Sequence, residues 1–85
     1  MEVDYHPELN LMYIWLDRAK PQSYTRSLDI HRVIDYAEDG TPVGVELIDI
    51  SHGVDLEGLP QPDAIGRVLA DYQVQALHAH GASEG

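Results

Sequence analysis

The chain contains no cysteine. Neither disulfides nor thiolate zinc sites can brace it, and no thiol chemistry is open to it. Basic residues are scarce: 5 Lys and Arg stand against 15 Asp and Glu, for a net charge of −10. None lies between Val33 and Gly66, a stretch that holds Asp35, Glu38, Asp39, Glu46, Asp49, Asp55, Glu57 and Asp63. Such a chain repels phosphate backbones, which argues against direct nucleic-acid binding. Its acidic surface either serves solubility or meets a basic partner. No apolar run approaches the ~20 residues that a transmembrane helix needs. The start, MEVDYHPELN, lacks the basic segment and apolar core of a signal peptide. The expectation is a cytoplasmic protein without membrane association. Gly-rich phosphate loops, internal repeats and low-complexity segments are also missing.

With 85 residues, the chain reads as one domain over residues 1–80, followed by a disordered tail over 81–85. A domain of this size buries roughly 60 % of the surface its unfolded form exposes, so association with a second copy would help it. VDYHPELNLMYIWLD reads as two strands around a Pro-containing turn at His6–Asn10. In the second strand Leu11, Tyr13 and Trp15 lie on one face, and Met12, Ile14 and Leu16 on the other. A strand apolar on both faces is either central in a sandwich or covered on both sides, and since one short domain does not easily cover both alone, this points to a second chain. Arg18–Ser23 is a loop, and Tyr24–Tyr36 is a weaker then a stronger strand, or one bent strand.

DYAEDGTPVGVE, residues 35–46, reads two ways. Asp35, Asp39, Gly40 and Glu46 keep the register of an EF-hand calcium loop, broken by Ala37. The flanks are β-branched, however, and Asp-Gly between alternating apolar residues is a hairpin signal. A two-residue Asp39-Gly40 loop pairs Glu38 with Thr41, Tyr36 with Val43, Ile34 with Val45 and Arg32 with Leu47. This gathers Ile34, Tyr36, Val43, Val45 and Leu47 on one face and puts Asp35 and Glu46 on the other. It also places Pro42 at a non-hydrogen-bonded position. The hairpin reading excludes calcium. The parity change at Ile48-Asp49-Ile50 calls for a bulge near Leu47 or a second covered face. Ser51–Gln61 is a connecting loop. The spacing of Ile65, Val68, Leu69 and Tyr72 predicts a helix over 62–73, with Gly66 marking close packing against the sheet. Gln73–Ala79 continues the helix or forms a short strand.

The remaining chemistry is sparse. His78 and His80 could share a metal if extended, but a catalytic zinc needs a third ligand. Ser51 and His52 are neighbours whose side chains would diverge on a strand. His6, His31 and His52 have no obvious orienting partner. We therefore expect no catalytic residue, no metal site and no cofactor. The candidate interface is Tyr13 with Trp15, because these residue types are enriched in interface cores; the alternative is that the tail of the chain covers them within the monomer.

YHPELNLMYIWL and HRVIDYAEDGTPVGVELIDIS resemble the small bacterial family called domain of unknown function 2283, over roughly residues 3–51. GVDLEGLPQPDAIGRVL resembles an extension that some members carry. In this chain His6 replaces the usual acid before Pro7, Ala37 a common Asp, and Trp15 a usual polar residue. The resemblance implies a small antiparallel sheet without recognised catalytic residues, and an antitoxin-like role. The reading as a whole is a non-enzymatic α+β domain: a four- or five-stranded antiparallel β-meander with a C-terminal helix packed on one face. It would act as a homodimeric protein–protein interaction module, or alternatively as an acidic antitoxin-like protein that neutralises a small basic toxin.

Overall fold

The computed structural model describes residues 1–77; His78, His80 and the tail 81–85 lie outside them. The chain divides into two compact units, Met1–Asp49 and a second beginning at Ile50. The first unit is a five-stranded antiparallel sheet of β1 (Glu2–His6), β2 (Leu11–Trp15), β3 (Tyr24–Asp29), β4 (Arg32–Tyr36) and β5 (Pro42–Ile48). The spatial order is β1-β2-β5-β4-β3. Three connections join neighbours, as in a meander. Between β2 and β3, however, the chain crosses to the far edge and works back, so that β5 closes beside β2. This placement sets β2 between β1 and β5 inside the sheet, with Met12 and Ile14 buried on one face and Leu11, Tyr13 and Trp15 only half-buried on the other.

The β1–β2 turn follows from Pro7, which opens a 3-10 turn over Pro7–Leu9, and from Asn10, which takes the left-handed conformation (φ 58°) at its end. Asn is among the few residues that visit that region readily; its Nδ2 reaches across to the end of β5 and donates to Asp49 Oδ1. Tyr24–Tyr36 is two strands, with Ile30 and His31 at the turn and a bulge between Ser27 and Asp29. One sheet face carries Met12, Ile14, Val45 and Leu47, each fully buried, beside Ile34 at 3 % exposure. Burying each such side chain is worth about 1.5–3 kcal/mol.

The register at the far end of the acidic hairpin is the expected one, with Arg32 opposite Leu47 and Ile34 opposite Val45. Near the turn it is corrected. The Ala37 N–H donates to Thr41 O and the Gly40 N–H to Ala37 O, which makes the loop Glu38-Asp39-Gly40, one residue longer than expected. Gly40 supplies the positive φ (89°) that this turn requires. Pro42 consequently pairs with Tyr36, and a bulge at Val43 restores the register from Gly44 onward. The longer loop and the bulge offset one another, so the faces come out as the simpler pattern predicts. The Val43 carbonyl is not wasted: the N–H groups of Leu16 and Asp17 both donate to it, at 2.8 and 3.2 Å. Pro42 faces a residue whose carbonyl turns to Ser23 instead, so its missing N–H costs nothing there.

β5 ends without a bulge near Leu47. Asp49 turns left-handed (φ 62°), and Ile50 starts a 3-10 turn in the second unit. In that unit the segment read as a plain loop holds the short β6 (Val54–Asp55), which pairs in parallel with β7 (Ala76–Leu77). Between them α1 runs Pro62–Asp71, burying Ile65 and Leu69. It stops two residues before the expected end because Gln73 is left-handed (φ 59°). The near neighbour that Gly66 accommodates is the Leu56 side chain, 3.3 Å from where a Cβ would stand. Among the described residues no helix is long and apolar enough to cross a membrane.

Candidate functional site

The opposite face of the sheet is built from the other parity. Register alone places Glu2, Trp15, Gly44, Asp35 and Thr25 in one row across the strands, and Asp4, Tyr13, Glu46, Val33 and Ser27 in the next. Leu11 and Ile48 face each other beyond these rows. Leu11, Tyr13, Trp15, Val33, Glu46 and Ile48 are all only half-buried, in contrast to the sealed row beneath them.

Tyr13 and Trp15, two residues apart on one strand, meet edge to face with ring centres 4.8 Å apart, a preferred aromatic geometry. The Tyr13 ring lies across Gly44 of β5, and a Cβ there would stand 2.9 Å from Tyr13 Cε2 and nearer still to Cζ and the hydroxyl. The glycine thus makes room for the aromatic ring of the adjacent strand. Crossing Gly44 lets the Tyr13 hydroxyl donate to Asp35 Oδ2 on β4 at 2.6 Å. Asp35 Oδ1 also accepts from Thr25 Oγ1 at 2.7 Å and from Gln22 Nε2 at 3.2 Å. Burial first, then the bond to Asp35 and the charges of Asp35 and Glu46, push the Tyr13 phenol well above its ordinary value. It stays a neutral donor. The Arg18 guanidinium sits over Trp15, 4.6 Å from the ring centre. Its other neighbour is Glu2, at 3.4 Å.

Two concavities open nearby. One of about 130 Å³ is lined by Tyr13, Trp15, Asp17, Arg18, Lys20, Gln22 and Val43, below the ~300 Å³ at which ligand pockets begin. The larger, about 770 Å³, is an open groove between Lys20–Ser23 and Ala37–Asp39. Across it Lys20 Nζ donates to Asp39 Oδ2 at 2.7 Å and to Thr41 Oγ1 at 3.0 Å. The lysine and the Thr41 bonds hold the Asp39 carboxyl far below the usual carboxylate range. The same contact raises Lys20. Both shifts favour the charged forms, so Lys20 and Asp39 face each other as an ion pair near neutral pH.

The face brings together the two residues singled out from the sequence, Tyr13 and Trp15, with Asp35, which the hairpin register already placed on the outer face, and adds two that pattern reading missed, Arg18 and Gly44. Of these two, Gly44 left a signal, as a glycine inside a strand pattern, which often marks close approach. Asp35, Asp39 and Glu46 of the calcium-like spacing are not gathered: Asp35 serves Tyr13, Asp39 serves Lys20 and the Thr41 N–H, and Glu46 stands apart. Among the described residues no group of three or more His, Cys, Asp or Glu is placed to hold a metal. Asp4 at 3.1 Å and, more weakly, Glu8 at 3.4 Å raise His6 above its ordinary value.

No curated protein and no solved structure matches the chain. A family model described as "Protein of unknown function (DUF2283)" matches residues 2–51, which take in the whole five-stranded sheet and the face just described. With more than half of its length matched in this way, the chain belongs to the family of proteins of unknown function DUF2283.

Proposed function

We propose that the protein is a non-enzymatic protein–protein interaction module that works in the cytoplasm as a homodimer, with the sheet face bearing Tyr13 and Trp15 as its interface. One observation carries this reading: a rigid aromatic pair is left half-exposed on the face opposite a completely sealed apolar row. Tyr and Trp anchor interface cores, since they supply large contact area with few rotatable bonds. Half-exposed Leu11, Val33 and Ile48 extend the patch. The non-enzymatic part draws support from the Lys20–Asp39 ion pair that closes across the groove and from the Tyr13 phenol, which burial and then Asp35 keep neutral. Size-exclusion chromatography with light scattering tests the reading. The intact chain should elute at the mass of two copies and Trp15→Glu at the mass of one. A Trp15→Glu dimer would sink it.

A second reading is favoured by the net charge of −10 and the acidic border of this face. In it the protein is antitoxin-like and covers the same face with a small basic toxin. A stable complex with such a protein that forms at the expense of the homodimer would select it.

A further inference from the structure

Every carboxylate on the strands of this face except one is engaged. Glu2 faces Arg18, Asp4 faces His6, and Asp35 accepts from Tyr13, Thr25 and Gln22. The side chain of Glu46 makes no hydrogen bond or ion pair among the described residues, although it is half-buried and stands directly opposite Tyr13. A carboxylate there is tolerable in water. Covered by an apolar partner it would be desolvated without compensation, which is costly. A partner that covers this face must therefore bring hydrogen-bond donors to Glu46, and a cation is the donor that also offsets its charge.

The chain carries such a cation on the same face. Arg18 lies over Trp15, Trp15 touches Tyr13, and Tyr13 stands opposite Glu46. The order is cation, aromatic pair, unpaired carboxylate. A two-fold axis lying in the plane between two facing sheets exchanges positions on either side of itself. An axis through the aromatic pair brings Arg18 of each chain over Glu46 of the other and sets the aromatics against their own counterparts at the centre. Arg18 is free to be shared. Its link to Glu2 spans 3.4 Å between side chains 57 % and 59 % exposed, and exposed pairs of this kind contribute little. Resting on the homodimer reading above, we propose that the second copy docks on this face through two reciprocal Arg18–Glu46 pairs flanking Tyr13 and Trp15, and that these pairs set its register.

The test is a charge swap read by sedimentation equilibrium near 0.15 M salt, about the ionic strength at which only close pairs escape screening. Arg18→Glu and Glu46→Arg, each alone, place like charges at both contacts and should weaken dimerisation by about tenfold or more. The two variants mixed in equal amounts should associate as tightly as the original chain, since each supplies the charge the other lost. The doubly substituted R18E/E46R chain should also dimerise. Circular dichroism confirms that each variant is folded. If the single variants dimerise as tightly as the original, the pairing is wrong while the homodimer stands. If they dissociate but neither the mixture nor the double variant recovers, the register is wrong. If the original chain is a folded monomer throughout and an arginine-rich peptide instead quenches Trp15, both the pairing and the homodimer fall, and a basic partner takes the face.

Discussion

Gly44→Ala is the sharpest stability test of the Tyr13 site. Gly44 has no left-handed backbone requirement, so Ala suits its conformation and would ordinarily stabilise the chain by about 0.4–1 kcal/mol through the unfolded state. The structure reverses that sign. The new methyl group would stand 2.9 Å from Tyr13 Cε2 and nearer to Cζ, which forces the ring off β5. Displacing the ring gives up the hydroxyl bond to the Asp35 carboxylate, worth about 1.5–3 kcal/mol as a bond to a charged group. It also gives up the edge-to-face contact with Trp15, worth roughly 0.5–1.5 kcal/mol. Setting the backbone gain against these losses leaves a net cost of about 2 kcal/mol, since a displaced ring keeps part of its contacts. For a domain of this size that is a fall in Tm of roughly 10 °C, readable by circular dichroism melts. The same substitution in a Tyr13→Ala background should be neutral or mildly stabilising, because nothing remains to be displaced. Gly44→Ala costing as much with Tyr13 absent as with it present would show that the ring is not what the methyl group displaces.

Three further outcomes can be checked separately. The Tyr13 phenol, raised by burial and by Asp35, favours the folded state up to the ordinary phenol range near pH ~10 and loses that contribution as pH rises through its higher folded value. In an absorbance titration at the tyrosinate band it should ionise later than an ordinary phenol, and Asp35→Asn should bring it down. His6, raised chiefly by Asp4, should titrate above ~6.5 by imidazole NMR and fall back in Asp4→Asn. Its small contribution to stability is present below that pH and fades as pH rises through the raised value. Gly40→Ala, at φ 89°, should cost about 1–2 kcal/mol in urea unfolding, the penalty of a left-handed residue with a Cβ.

What the sequence made legible follows the range of the interactions involved. The β1–β2 turn, the two strand faces and the far register of the acidic hairpin rest on local patterning: Pro7 and Asn10, the parity of Met12 and Ile14, and the alternation of Ile34 with Val45 and Leu47. The turn itself misled because two irregularities offset each other. A three-residue loop and a bulge at Val43 give the same faces as a two-residue loop, and side-chain parity cannot tell these apart. Pairing of β2 with β5 bridges about thirty residues of chain and is fixed by complementarity that no window sees. The candidate site shows the same division. Tyr13 and Trp15 stood out by residue type, whereas their link to Asp35 across Gly44 and the Arg18 cap on Trp15 exist only once β2, β5 and β4 are side by side.

The chain holds a single tryptophan, placed on the proposed interface, which makes its emission a direct reporter of that face. Following Trp15 fluorescence while the intact chain is diluted across its association range, alongside its sedimentation mass, shows whether this face is what holds two copies together. One transition is expected: mass falling from two copies to one while Trp15 emission shifts to the red in step. A dimer that dissociates with no change in Trp15 emission, or a chain that is monomeric at every concentration, would contradict it.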